Sequence, residues 1–164
     1  MDWTKDMKYT CIIVFIWLMG MLSCRNGNEP LQTLFAKVEH VMAQRPDSAL
    51  ALLEQVSLGD CRTAGDSARY ALLFTQAQDK NHISHTSDSL IRMAVHYYED
   101  SSDTEKKALA YFYLASVYRD MRKRTEAVKG FLRSLSYAEM DHDLQFEGMI
   151  YNNIAFLVLR AGYV

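Results

Sequence analysis

His82 and His85 stand three residues apart between Asp79 and Asp88. Imidazole and carboxylate side chains at such spacing are the ligand types of a zinc or other transition-metal site. A closed site needs further ligands of the same kind, and no Cys or His pair completes the set. The stretch therefore reads as a polar turn, and neither a metal nor another cofactor is expected. His40, His96 and His142 are scattered singles. Cys61, just before Arg62, could be a reactive thiol if cationic neighbours lowered its pKa; its polar surroundings read instead as an ordinary exposed loop. There is no Gly-rich phosphate loop, no Gly-x-Ser-x-Gly turn, and no acid–base or nucleophile constellation. The chain is expected not to be an enzyme.

The amino-terminal segment carries a different chemistry. Cys11 to Leu22 is an uncharged apolar run of twelve residues, preceded by Lys5 and Lys8. A membrane-spanning helix needs about 20 such residues, whereas this run has the length of a signal-peptide core. Ser23-Cys24 ends it, and polar Arg25-Asn26-Gly27-Asn28 follows. The pattern resembles the lipobox of bacterial lipoproteins, whose cysteine is acylated and becomes the new N-terminus. Met21 and Leu22 depart slightly from the commonest form. The resemblance implies a signal peptide and membrane anchor over residues 1–24 lipidated at Cys24, a tether over 25–30, and a place in the cell envelope facing the periplasm or cell surface. Two or more acyl chains hold a membrane firmly where one is marginal. The alternatives are an uncleaved signal anchor or a buried core helix; a core helix should show a polar face, and this run has none.

Composition narrows the rest. The 164 residues hold 18 Lys and Arg against 20 Asp and Glu, a net charge of −2. Residues 1–23 contain two lysines and two aspartates, so their removal leaves the balance unchanged. Such a chain lacks the positive field that general nucleic-acid binding needs. With Cys11 removed and Cys24 acylated, Cys61 is the one remaining thiol, and no intrachain disulfide is possible. The fold must rest on packing, for which about 140 residues suffice. Pro30 and Pro46 are the only prolines, and strand-like alternation is missing, so the domain over 31–164 is expected to be all-α.

Helical periodicity predicts seven helices. The first runs from Leu31 to Gln44, with Leu34, Phe35, Val38, Val41 and Met42 on one stripe. Pro46-Asp47 opens the second, with Ala49, Leu50, Leu52, Leu53 and Val56 inward. A loop runs from Ser57 to Gly65. The third helix spans Asp66 to Lys80, the fourth Ser87 to Tyr98, the fifth Thr104 to Met121, the sixth Thr125 to Met140 and the seventh Leu144 to Arg160. Short connections make consecutive helices antiparallel neighbours, which gives three hairpins and half of a fourth.

These helices repeat. Tyr70-x-x-Leu73-Phe74, Tyr111-x-x-Leu114-Ala115 and Tyr151-x-x-Ile154-Ala155 share a pattern at spacings of 41 and 40 residues. The fullest unit adds Tyr118, then Ala127, Phe131 and Ser134. It resembles the tetratricopeptide repeat, in which small residues let two helices approach and large ones fill the space beside them. The family's unit is about 34 residues, so helices or linkers are longer here, and Arg122-Lys123-Arg124 lacks the family's usual turn Gly. Arg45-Pro46-Asp47-Ser48-Ala49-Leu50-Ala51-Leu52-Leu53 and Leu73-Phe74-Thr75-Gln76-Ala77-Gln78-Asp79-Lys80 are similar to Bacteroides-type repeat lipoproteins, whose members continue further.

The resemblance implies an α-α superhelix acting as a non-enzymatic scaffold that binds a partner peptide or helix in a concave groove. It places Phe112, Ser116 and Arg119 in that groove, followed by Asn152, Asn153 and Phe156. Asn153 stands where some family members hold a peptide backbone or carboxylate, since an amide donates and accepts at once. The alternative function implied is the extracytoplasmic sensory part of a membrane-bound transcriptional regulator. Ala161-Gly162-Tyr163 matches the turn inside a repeat, and the second helix of that repeat is not present, so a fragment of a longer protein is expected; the alternative is a short native protein in which the last helix caps the stack or dimerises. Ile150, Ile154, Phe156, Leu157 and Val158 would then lie uncovered. Arg119, Arg122, Lys123, Arg124, Lys129 and Arg133 form a basic cluster about one hairpin turn, read as a solvated face or, less favoured, as a contact for anionic lipid or an acidic partner.

Overall fold

In the computed structural model, residues 30–159 are described. The expected signal segment, Cys24 and the tether up to Glu29 lie outside them, as do Arg160 to Val164. Residues from Leu31 onward form one compact unit. Its regular elements, among the described residues, are all helical: α1 (Leu31–Met42), α2 (Pro46–Leu53), a short 3-10 turn (Leu58–Asp60), α3 (Ala64–Lys80), α4 (Ser89–Glu99), α5 (Thr104–Asp120), α6 (Arg124–Asp141) and α7 (Leu144–Leu159). None of these helices is long and apolar enough to cross a membrane.

Local chemistry sets the boundaries. α3 begins two residues before the periodicity suggests because Thr63 caps it: its hydroxyl accepts from the Asp66 N–H at 3.0 Å while the Asp66 carboxylate accepts from the Thr63 N–H at 3.1 Å. This reciprocal pair satisfies two otherwise orphaned donors. Asp103 caps α5 through the Lys106 N–H at 2.9 Å, and Pro46 occupies the first turn of α2, where its missing N–H costs nothing.

Three helices end in the same way. His82, Arg122 and His142 follow α3, α5 and α6 with φ of 58°, 61° and 56°. The two N–H groups beyond each helix turn back onto it, from Ile83 to the Gln78 carbonyl and from His82 to that of Asp79 (both 3.0 Å), and from Lys123 to Tyr118 (2.9 Å) and Arg122 to Arg119 (3.1 Å). This is the helix stop that usually takes glycine. The missing turn Gly therefore has not changed the turn; an L-residue adopts the left-handed conformation instead.

Two apolar clusters form the core. One gathers Leu34, Phe35, Val38, Met42, Ala49, Leu53, Tyr70, Leu73 and Ala77 from α1, α2 and α3. The other takes Ala68, Ala71 and Leu72 from the opposite side of α3 and runs through α4 to α7. α5 and α6 are the most intimately packed pair. Ala115, Ala127, Phe131 and Ser134, the repeat-signature positions, are all fully buried, and the Ser134 hydroxyl donates to the Ala108 carbonyl at 2.7 Å. Ile150 and Leu157 of α7 are buried too, against the expectation that they lie uncovered; they complete the larger cluster.

Candidate functional site

α3, α5 and α7 alternate in sequence with α4 and α6, and a row of polar side chains crosses them. Asp79 comes from the last turn of α3, Arg119 and Asp120 from the last turn of α5, and Asn153 from the middle of α7. Arg119 is the hub. Its Nη2 reaches Asp79 Oδ1 at 2.8 Å and Asp120 Oδ1 at 3.1 Å, its Nε reaches Asp120 Oδ1 at 3.2 Å, and its Nη1 reaches the Asn153 side-chain oxygen at 3.2 Å. The Asn153 amide nitrogen donates to the Met149 carbonyl at 2.9 Å.

His85, in the turn after α3, extends the row. Its backbone N–H and its Nδ1 both meet Asp120 Oδ2, at 3.1 Å and 2.8 Å. Burial by itself would raise the Asp120 pKa, but the hydrogen bonds from His85 and the Arg119 charge outweigh it and hold the carboxylate below its ordinary range. Burial likewise opposes the Arg119 charge, and Asp79 and Asp120 reverse that effect. Two carboxylates thus share one guanidinium. Among the described residues, His85 Nε2 and the Ser116 hydroxyl are buried with no hydrogen-bond partner.

The expected groove residues separate into two groups. Arg119 and Asn153 are brought together directly. Asn152 is exposed on α7, and Phe156 is half-exposed further along it. Phe112 and Ser116 are a correction: neither lines a surface. Phe112 is 4% exposed, with its ring centroid 5.3 Å from those of Phe131 and Phe146. Ser116 is fully buried. α6 and α7 close over that side of α5, so the register taken from the repeat points these two inward.

The histidine–aspartate stretch also disperses. Asp79 serves Arg119, His85 serves Asp120, Asp88 accepts from the Tyr118 hydroxyl at 3.1 Å, and His82 supplies the left-handed stop. No group of three or more His, Cys, Asp or Glu among the described residues could hold a metal ion. Cys61 is half-buried rather than exposed, and burial, reinforced by Asp66 and Asp60, pushes its thiol pKa up. That disfavours the nucleophilic thiolate.

The basic cluster breaks into parts. Arg119 turns into the polar row. Arg133 lies over the Tyr111 and Tyr137 rings at 5.8 and 5.2 Å. Arg122, Lys123, Arg124 and Lys129 are exposed.

Asp79 and Asp120 were not among the groove candidates. The signal for Asp79 was available: Tyr70 and Tyr111 stand 41 residues apart, so Asp79 on α3 and Asp120 on α5 occupy equivalent positions, with Arg119 next to the latter. A second such bridge joins α1 to α3, where Arg69 grips Glu39 through two contacts (3.0 and 2.7 Å) and donates to the Gln32 side chain at 2.7 Å. No family model, curated protein or solved structure matches this chain.

Proposed function

We propose that this protein is a non-enzymatic interaction scaffold, held in the cell envelope by lipid on Cys24, that docks a partner peptide or helix on the face shared by α3, α5 and α7. The observation that carries the reading is the Asp79–Arg119–Asn153 row, which spans three non-consecutive helices. A polar ladder of that kind offers a peptide alternating donors and acceptors on a rigid support, as helical scaffolds do when an extended or helical segment docks on them. The tetratricopeptide likeness of the unit from Tyr111 to Ser134 supports the same reading, as does the lipobox-like Ser23-Cys24 for the anchor.

The test is selection of peptides from a displayed random library on the full-length protein in detergent micelles. Affinities of the selected peptides would then be measured by calorimetry on the wild type and on Asn152→Ala and Asn153→Ala variants. A loss of about tenfold, roughly 1.4 kcal/mol, is expected for Asn153→Ala. Failure to select any peptide, or equal affinity for both variants and the wild type, overturns the groove. The anchor is tested separately: Cys24→Ala should move the protein out of the membrane fraction, and retention there would favour an uncleaved apolar anchor.

A further inference from the structure

The two ends of the helical stack are finished differently. The exposed residues of α1 include Thr33, Ala36, Lys37 and His40, a small and polar surface. At the other end, α7 carries no charged residue from Gly148 to Leu159. Leu144, Gly148, Tyr151, Ala155 and Val158 recur at alternating steps of four and three, the spacing that aligns one seam along a helix. All five are exposed: Leu144 by 78%, Tyr151 by 52% and Val158 by 56%, with Gly148 and Ala155 beside them. A Cβ added at Gly148 would meet nothing within 4 Å. Ala155 stands one 40-residue period after Ala115, which is fully buried where α6 crosses α5. α7 therefore presents a close-approach surface on which no described helix lies.

We propose that this seam pairs with the same seam of a second copy, antiparallel about a two-fold axis level with Asn153. The residue order is self-complementary about that point. Tyr151 and Ala155 are equidistant from it, and so are Gly148 and Val158. In an antiparallel pair, Tyr151 and Val158 of one copy therefore lie over Ala155 and Gly148 of the other, large over small, the condition for close ridge packing. Asn152 flanks the axis, where the two amides can donate to and accept from each other. An uncharged seam contributes no like-charge repulsion. Head-to-tail stacking is disfavoured, because it would press this surface onto the polar outer side of α1. A single helix pair buries on the order of 1,000 Å² in total, at the lower limit for specific interfaces, so the dimer is a weak one with a dissociation constant in the micromolar range. The seam is separate from the polar row, since Asn153 turns its amide toward Arg119.

Sedimentation equilibrium of the full-length protein in density-matched detergent tests the pairing. The wild type should pass from monomer to dimer over micromolar concentrations. Ala155→Arg and Val158→Glu, each placing a charge in the seam, should weaken the association at least tenfold, with unchanged helical circular dichroism. Ala36→Arg, at the opposite end of the stack, should dimerise like the wild type. A wild type that stays monomeric, a dimer insensitive to both seam variants, or larger open-ended assemblies would overturn the proposal.

Discussion

Gly130 of α6 faces Ala115 of α5 so closely that a Cβ built on Gly130 would lie 2.9 Å from the Ala115 Cβ and 3.3 Å from its Cα. The obstacle is a neighbouring helix, not the tip of a flexible chain, so relief requires the two helices to separate. Gly130→Ala should gain about 1 kcal/mol of helix propensity and lose about 1–3 kcal/mol to overpacking. The expected outcome is a lower urea midpoint. Gly148→Ala is the counterpart: with open space around it, the same substitution should raise the midpoint by the equivalent of about 0.5–1 kcal/mol, measured at concentrations too low for self-association. If both variants shift the same way, the close α5–α6 approach is wrong.

Two buried serines should respond in opposite senses. The Ser134 hydroxyl donates to the Ala108 carbonyl, whereas the Ser116 hydroxyl has no partner among the described residues. Ser134→Ala should cost about 1 kcal/mol. Ser116→Ala removes a desolvated group that has no compensation and should be neutral or stabilising by about 1 kcal/mol. Thermal unfolding of the two variants side by side separates these outcomes; equal destabilisation would mean that Ser116 has a partner.

Arg122 holds a left-handed backbone that costs an L-residue about 1–2 kcal/mol. Its side chain is exposed, so little is lost by removing it. Glycine repays part of the gain through its greater freedom when unfolded. Arg122→Gly should therefore stabilise by about 0.5–1 kcal/mol, read as a rise in the denaturant midpoint. Arg122→Val, a β-branched residue in the same conformation, should do the reverse.

Acid should loosen the polar row. Asp120 has its pKa held below the ordinary 3.8 by His85 and Arg119. A carboxylate depressed in the folded state contributes stability above its unfolded value and loses it as pH falls through the folded one. Asp103, held down by the Lys106 N–H and ammonium against the effect of burial, acts in the same direction. Stability should thus fall below about pH 4, with a shallower fall in Asp120→Asn. That variant should also lose about 1.5–3 kcal/mol at neutral pH, the range for hydrogen bonds to charged groups. An acid profile identical to the wild type would remove Asp120 from the account.

The helices were legible because apolar residues recur with helical period over long stretches, and the α5–α6 pair because small residues must face each other where helices cross. Ala115, Ala127 and Ser134 all follow that rule. Phe112 and Ser116 misled because a repeat register says which side of a helix a residue takes, not whether later helices cover that side. The start of α3 was misplaced because Thr63 and Asp66 bond reciprocally, a local exchange invisible to hydrophobic periodicity. Asp120 went unread because its partner His85 lies in a turn 35 residues away, and no sequence period links the two.

α3 contributes Tyr70, Leu73 and Ala77 to one apolar cluster and Ala68, Ala71 and Leu72 to the other. It is a party wall between two rooms. The α1–α2 hairpin can swing open on its own side while the larger room stays shut, so melting need not be a single event. Nearest-neighbour stacking of this kind lets stability vary along the chain, and the segment next to Cys24 is the one positioned to yield first under a pull from its amino-terminal end.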